Sequence, residues 1–358
     1  MSQPGSTACP VKEDNDSPSE STTVPYVASS PDPETCRTGA MNQDTLSITT
    51  DPATASQHQS SFTDHRSPTA QDPSDTLLSS TTLSNDSLEQ SEKGEYRSIK
   101  LIFVHGFTQV GLSWLRIAES MASAYEVMLI DAPGHGGSSN IRANLVDGAA
   151  LLAKTAGQGV YIGYSMGGRF CLQLAINHAN LVRALVLLGA NPGIEDAEER
   201  KRRYAADLVL AEQLDPGEGK SNDSLENSSY DQQKRLDNFL KRWLEQPIFA
   251  TLPVSEEDLA LRRTNTPSGL ASSLRLASTG AQQPLWKHLR ELDMPVLVMA
   301  GERDEKFSAI GQRMVNLIGN NARFVSISGA GHAAHLEKPE LFIDVLNRFL
   351  NELSLEPR

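Results

Sequence analysis

Val160-Tyr161-Ile162-Gly163-Tyr164-Ser165-Met166-Gly167-Gly168-Arg169 is an apolar run, then Gly-x-Ser-x-Gly, then the start of a helical pattern. That order reads as a buried strand, a strained turn and a helix, the arrangement called a nucleophile elbow. Gly163 and Gly167 have a mechanical reason to be glycine. In so tight a turn a side chain at either place collides with the strand or the helix. The strain lifts the Ser165 hydroxyl clear of the sheet, and the helix that starts at Met166 favours negative charge at the same spot. Alone, the motif also fits a glycine-rich turn with a buried serine, so its surroundings must decide.

Upstream, Ile99-Lys-Leu-Ile-Phe-Val104 is an apolar run of strand length that ends in His105-Gly106-Phe107-Thr108. Val127-Met-Leu-Ile-Asp131 is the next buried strand, followed by a Gly/Pro turn. Helical patterns cover residues 114–125, 145–155 and 167–177, and a further strand covers 184–189. Alternating strands and helices predict a mostly parallel, doubly wound α/β sheet. Ligands bind such sheets outside the carboxyl ends of the strands, where His105, Asp131 and Ser165 fall.

After strand six the pattern changes. Residues 191–285 read as helices, with a polar loop over 215–231, and are expected to form a helical lid. The sheet resumes at Met294-Pro-Val-Leu-Val-Met-Ala300, followed by Gly301-Glu-Arg-Asp304. Arg323-Phe-Val-Ser-Ile327 is the last strand, then Gly329-Ala-Gly-His332 and a closing helix. The core is thus expected over 97–190 and 286–358.

Ser165, Asp304 and His332 occur in the order Ser, Asp, His, which is the order of α/β-hydrolases. His332 is expected to take the Ser165 proton, and Asp304 to fix the imidazole tautomer. Glu302 competes with Asp304, which could instead cap a helix; His335 and His105 are weaker candidates for the base. Backbone N–H groups near Phe107 and Met166 are expected to form an oxyanion hole.

The whole chain has 358 residues and a net charge of −13. Residues 1–97 hold 15 acidic and 5 basic residues, so −10 of that charge lies there and about −3 on the rest. No nucleic-acid partner is expected from this balance. Residues 1–96 are Ser, Thr, Pro and acid-rich with no sustained apolar period, and are expected to be disordered. Cys9, Cys36 and Cys171 form no metal-ligand pattern, so neither metal nor cofactor is expected. No run approaches the ~20 apolar residues of a membrane span. No apolar segment follows a basic start, so a cytoplasmic enzyme is expected.

Triads of this order serve esterases, carbon–carbon hydrolases and a few lyases. Arginines narrow the choice: Arg169 on the elbow helix, Arg200, Arg202 and Arg203 on the first lid helix, and Arg262 and Arg263 on a later one. Several guanidiniums above a small site suit a substrate with several carboxylates, although each alone also reads as a solvated helix charge.

Residues 98–350 resemble the 2-succinyl-6-hydroxy-2,4-cyclohexadiene-1-carboxylate (SHCHC) synthases of menaquinone biosynthesis. The elbow and the His105-Gly-Phe-Thr108 loop carry part of the likeness. Stretch 193–207, Arg242-Trp-Leu-Glu-Gln-Pro-Ile-Phe249, Gly269-Leu-Ala-Ser-Ser-Leu274 and Ser278-Thr-Gly-Ala-Gln282 carry the discriminating part. Gly301-Glu-Arg-Asp-Glu-Lys-Phe307 and Gly329-Ala-Gly-His-Ala-Ala-His335 complete it. The resemblance implies a lyase that eliminates pyruvate from 2-succinyl-5-enolpyruvyl-6-hydroxy-3-cyclohexene-1-carboxylate, with Ser165 as the proton-abstracting base and no acyl-enzyme. It also implies that Tyr164, Arg169, Arg203, Trp243 and Arg262 line the substrate pocket; spacing favours Arg262 over Arg263. Family members begin with a pair of short strands, and no clear hairpin precedes Ile99, so that pair is expected to be degenerate or lost.

Overall fold

The central sheet of the computed structural model is covered on both faces, which explains the unbroken apolar runs. The structure describes residues 46–51, 76–85, 99–217 and 228–353. Its strands are β1 (Leu46–Asp51), β2 (Ser80–Asn85), β3 (Lys100–Val104), β4 (Glu126–Ile130), β5 (Gly159–Tyr164), β6 (Val182–Leu188), β7 (Val296–Gly301) and β8 (Ala322–Ile327). They form one sheet in the order β1-β2-β4-β3-β5-β6-β7-β8. β3 to β8 are mutually parallel, while β2 pairs antiparallel with both β1 and β4.

The helices that cover the sheet are α1 (Leu115–Met121), α2 (Leu145–Ala156) and α3 (Met166–Asn177) before the long excursion. The excursion itself holds α4 (Ala197–Leu214), α5 (Ser229–Leu244), α6 (Glu256–Arg262) and α7 (Pro267–Leu276). After it come α8 (Glu305–Ile318), the short α9 (Ala334–Glu337) and α10 (Pro339–Glu352).

Alternate residues of each strand feed opposite layers, as the two-residue period of a strand requires. Ile102, Val104, Tyr161, Leu185 and Val298 pack with α2, α3 and α8. Leu101, Phe103, Val160, Ile162 and Met299 pack with α1 and α10. In the central strands β5 and β7 neither face meets water, so neither parity needs a polar residue. Each fully buried side chain of this size contributes roughly 1.5–3 kcal/mol.

Helices α4, α5 and α7 share a smaller core of their own, built from Ala211, Leu214, Leu236, Phe239, Leu240, Leu270, Ala271 and Leu274. Local signals start these helices where the sequence places them. Asp196, Ser228, Ser255 and Thr266 each accept a backbone N–H in the first turn, and Pro267 stands at the first position of α7.

Two expectations need correction. Residues 46–51 and 80–85 are strands, so the acidic leader is not disordered throughout, and the pair of short strands before β3 is present. Apart from residues 76–79, the rest of 1–96 lies outside the described residues. These strands were hard to see because they are Ser/Thr-rich and residues 52–79 separate them instead of a tight turn. Threonine suits a strand, but only long-range pairing with β4 makes it one. Leu83, opposite Val127, and nearby Leu78 carry the burial.

Candidate active site

Ser165 leaves β5 with φ of +50°, a left-handed conformation unusual for a residue with a side chain. The fold tolerates it because the neighbouring glycines let backbones touch. A Cβ on Gly163 would lie 2.5 Å from the Gly168 Cα, and one on Gly167 would lie 2.1 Å from the Val104 carbonyl oxygen. The Ser165 N–H donates to the Leu188 carbonyl at 2.8 Å, which ties the elbow to β6.

His332 follows β8 and Asp304 follows β7. His332 Nδ1 lies 2.6 Å from Asp304 Oδ2, and His332 Nε2 lies 3.1 Å from Ser165 Oγ. The carboxylate accepts from Nδ1–H, which leaves Nε2 as acceptor for the serine hydroxyl. Asp304 Oδ1 also accepts the Phe307 N–H at 3.2 Å and so caps α8. One Asp304 side chain thus both meets the imidazole and caps a helix. Glu302, its competitor, points away and accepts from Ser328 Oγ and the Gly329 N–H.

The other histidines take no part in this contact. Ala132 N–H donates to His105 Nε2 at 3.0 Å, so the His105 proton sits on Nδ1 and donates to the Gly106 carbonyl. Burial pushes His105 down to about 4 and His135 down to about 3. His335 is buried against Trp114 and Tyr164, with ring centroids 4.2 and 4.4 Å apart, and burial again lowers its pKa.

A cavity of about 380 Å³ opens on Ser165, with Arg169, Arg203, Lys306, Phe307 and Trp286 in its wall. Such a volume suits a small ligand. A larger cavity of about 760 Å³ lies at the opposite ends of the strands, beside Val182, Val296 and Ala322, and holds none of the three residues described above.

The segment after α7 orders the two arginines. Arg169 donates to Gln282 Oε1 at 3.1 Å and to the Ala277 carbonyl at 2.8 Å. Burial and the neighbouring Arg203 lower its pKa to about 10, so it stays charged at neutral pH. Arg203 Nε meets both oxygens of Asp207 at 3.0 Å, and Ser278 Oγ donates to Asp207 at 2.6 Å. Acids share the wall: Glu195 is paired outward with Arg313 at 2.6 Å, and Asp196 accepts the Glu199 N–H.

Tyr164, Trp243 and Arg262, expected in the pocket, do not line this cavity. Tyr164 packs its ring 5.3 Å from that of His332, and burial raises its pKa. Trp243 stands edge-on to Phe107, centroids 4.9 Å apart. Arg262 is 2% exposed; its Nε donates to Asp258 at 2.7 Å and its Nη1 donates to Thr108 Oγ1. Arg263 is half-exposed and pairs with Asp237, so Arg262 is the one of the two that points inward. Met166 is the first residue of α3 and has no carbonyl one turn earlier within the helix to take its N–H. Gln282, Ser278 and Lys306 were not singled out individually, although all lie in quoted motifs; what they hold depends on folding distant segments together.

A serine on a strained turn at the carboxyl end of a parallel sheet, with an imidazole and a carboxylate from later loops, defines the α/β-hydrolase class. Residues 100–339 match the alpha/beta hydrolase fold family. The chain is 31% identical over 258 residues to the 2-succinyl-6-hydroxy-2,4-cyclohexadiene-1-carboxylate synthase of one strain of Klebsiella pneumoniae, covering 70% of this chain and 93% of that one. It is 32% identical over 260 residues to the enzyme of a second strain, with the same coverage. The solved structure of MenH from S. aureus superposes with a TM-score of 0.63 at 30% identity, covering 73% of this chain and 97% of that one. The chain belongs to the SHCHC synthase family, enzymes of α/β-hydrolase fold.

Proposed function

We propose that this enzyme releases pyruvate from 2-succinyl-5-enolpyruvyl-6-hydroxy-3-cyclohexene-1-carboxylate to give SHCHC, a step of menaquinone biosynthesis. The observation that carries this reading is the cavity in which Ser165 shares a wall with Arg169, Arg203 and Lys306. A tricarboxylate needs cationic partners, and a guanidinium binds a carboxylate through paired N–H donors.

In this mechanism Ser165 is a base and not a nucleophile. His332 takes the hydroxyl proton, and Asp304 stabilises the imidazolium that results. The serine oxygen removes the proton alpha to the succinyl ketone. The C–H electron pair becomes an enolate, whose oxygen is met by the backbone N–H groups of Phe107 and Met166. The enolate then re-forms the ketone as its electron pair makes a C2–C3 ring double bond, the C3–C4 double-bond pair shifts to C4–C5, and the C5–O bond to the enolpyruvyl group breaks. Pyruvate departs as its enolate and takes up a proton. Helices α4 to α7 serve as the lid that carries Arg203 over the site.

The test is to follow pyruvate after mixing the protein with the intermediate. Release that depends on Ser165 supports the lyase. No release, with burst turnover of p-nitrophenyl esters, supports a hydrolase instead.

A further inference from the structure

Thr108 is fully buried with φ of +69° and is, with Ser165, one of two non-glycine residues at positive φ among the described residues. A β-branched residue there is strained and persists only where its surroundings hold it. Two side chains from the α6–α7 junction hold this one. Arg262 Nη1 donates to Thr108 Oγ1. Asn265 Nδ2 donates to the Thr108 carbonyl at 2.9 Å and to the Arg262 carbonyl at 2.9 Å.

The Asn265 amide has only one orientation that fits. The Gly136 N–H points at its other atom at 3.0 Å, so that atom must be the acceptor Oδ1. Asn265 is 4% exposed and joins three segments: the loop after β3, the loop after β4 and the end of α6. The close approach of Gly134 and Gly269 seats the same junction, since a Cβ on Gly269 would lie 2.5 Å from the Gly134 carbonyl oxygen.

We propose that Asn265 and Arg262 are positioning residues that hold the 105–109 loop in the shape that presents the Phe107 N–H to the reacting oxygen. This rests on the reading of Phe107 as an oxyanion donor. It assigns Arg262 a role through Thr108 in place of a direct contact with substrate, and it makes the lid a structural part of the reaction centre. An oxyanion donor acts through its exact placement, so loosening the loop lowers turnover more than it weakens binding.

The experiment uses the full chain. Asn265→Asp keeps the acceptor for Gly136 and loses the donor to Thr108. Thr108→Val keeps the shape and loses the hydroxyl that Arg262 meets. In both variants, amide exchange of residues 105–109 should quicken while the strands exchange as before. Turnover should fall by about tenfold or more, with KM moved by less than about threefold. Thr108→Ser, which restores the hydroxyl, should recover most of the rate lost in Thr108→Val. Unchanged exchange in both variants, or a loosened loop with full turnover, would overturn the proposal. If the wild-type protein releases no pyruvate, the lyase reading falls and the exchange comparison alone still decides the clamp.

Discussion

Asp304 Oδ2 lies 2.6 Å from His332 Nδ1, between side chains only 8% and 3% exposed, so little water competes for the contact. Asp304→Asn keeps an acceptor for the Phe307 N–H but presents an amide N–H to the imidazole. The ring must then carry its proton on Nε2, which can no longer accept from Ser165. Turnover should fall on the order of 10³–10⁴-fold. Steady-state kinetics beside a melting curve checks this: the rate should collapse while the melting temperature barely moves.

Acid should destabilise the fold through histidines that the chemistry does not use. His105, His135 and His335 are buried neutral, with pKa values below the ordinary 6.5. Above pH 6.5 they are neutral in the folded and the unfolded chain alike. Below it the unfolded chain takes up protons that the folded chain refuses, so stability falls as pH drops from about 6.5 toward 4. By pH 5 His105 and His135 each remove about 2 kcal/mol. Denaturant melts at pH 7 and pH 5 measure the loss. His135→Asn, which keeps a donor for the Pro133 carbonyl, should flatten the slope.

Arg203→Ala should lower kcat/KM for the tricarboxylate by roughly 10–100-fold, the worth of a charge-assisted contact of about 1.5–3 kcal/mol. It also strands the buried Asp207 carboxylate. Arg203→Ala with Asp207→Asn removes that second effect, and the loss of kcat/KM should persist in the double variant. An equal loss on a neutral p-nitrophenyl ester would contradict a role in binding carboxylates.

A chain that begins at residue 97 should fold poorly, because it lacks β1, β2, Leu78 and Leu83 and leaves the edge of β4 unpaired. Within the full chain, Leu83→Ala should lower stability by about 2–5 kcal/mol. Solubility and melting of the truncated and full chains decide this.

Those two strands mark the limit of what the residues disclose. β3, β5 and β7 were legible because burial on both faces writes one unbroken apolar run. Ser165 and Asp304 were legible because each closely follows such a run, and His332 because of its Gly-Ala-Gly-His setting after the last strand. β1 and β2 were not, since their pairing spans residues 52–79 and rests on few apolar side chains. Arg262 was expected as a pocket residue, but its contact with Thr108 was not legible: Thr108 lies 154 residues away, and no local period links them. Asn265 gave no signal, because an asparagine before Thr-Pro reads as a turn residue until three segments fold around it.

The most direct measurement is pyruvate formed when the purified full chain meets the enolpyruvyl intermediate, wild type beside Ser165→Ala. The account requires one pyruvate for each SHCHC, a rate at least about 10³-fold lower without the Ser165 hydroxyl, and no covalent adduct on Ser165 by mass spectrometry. A folded wild-type protein that forms no pyruvate, or one that accumulates an acyl group on Ser165 during turnover, would contradict it.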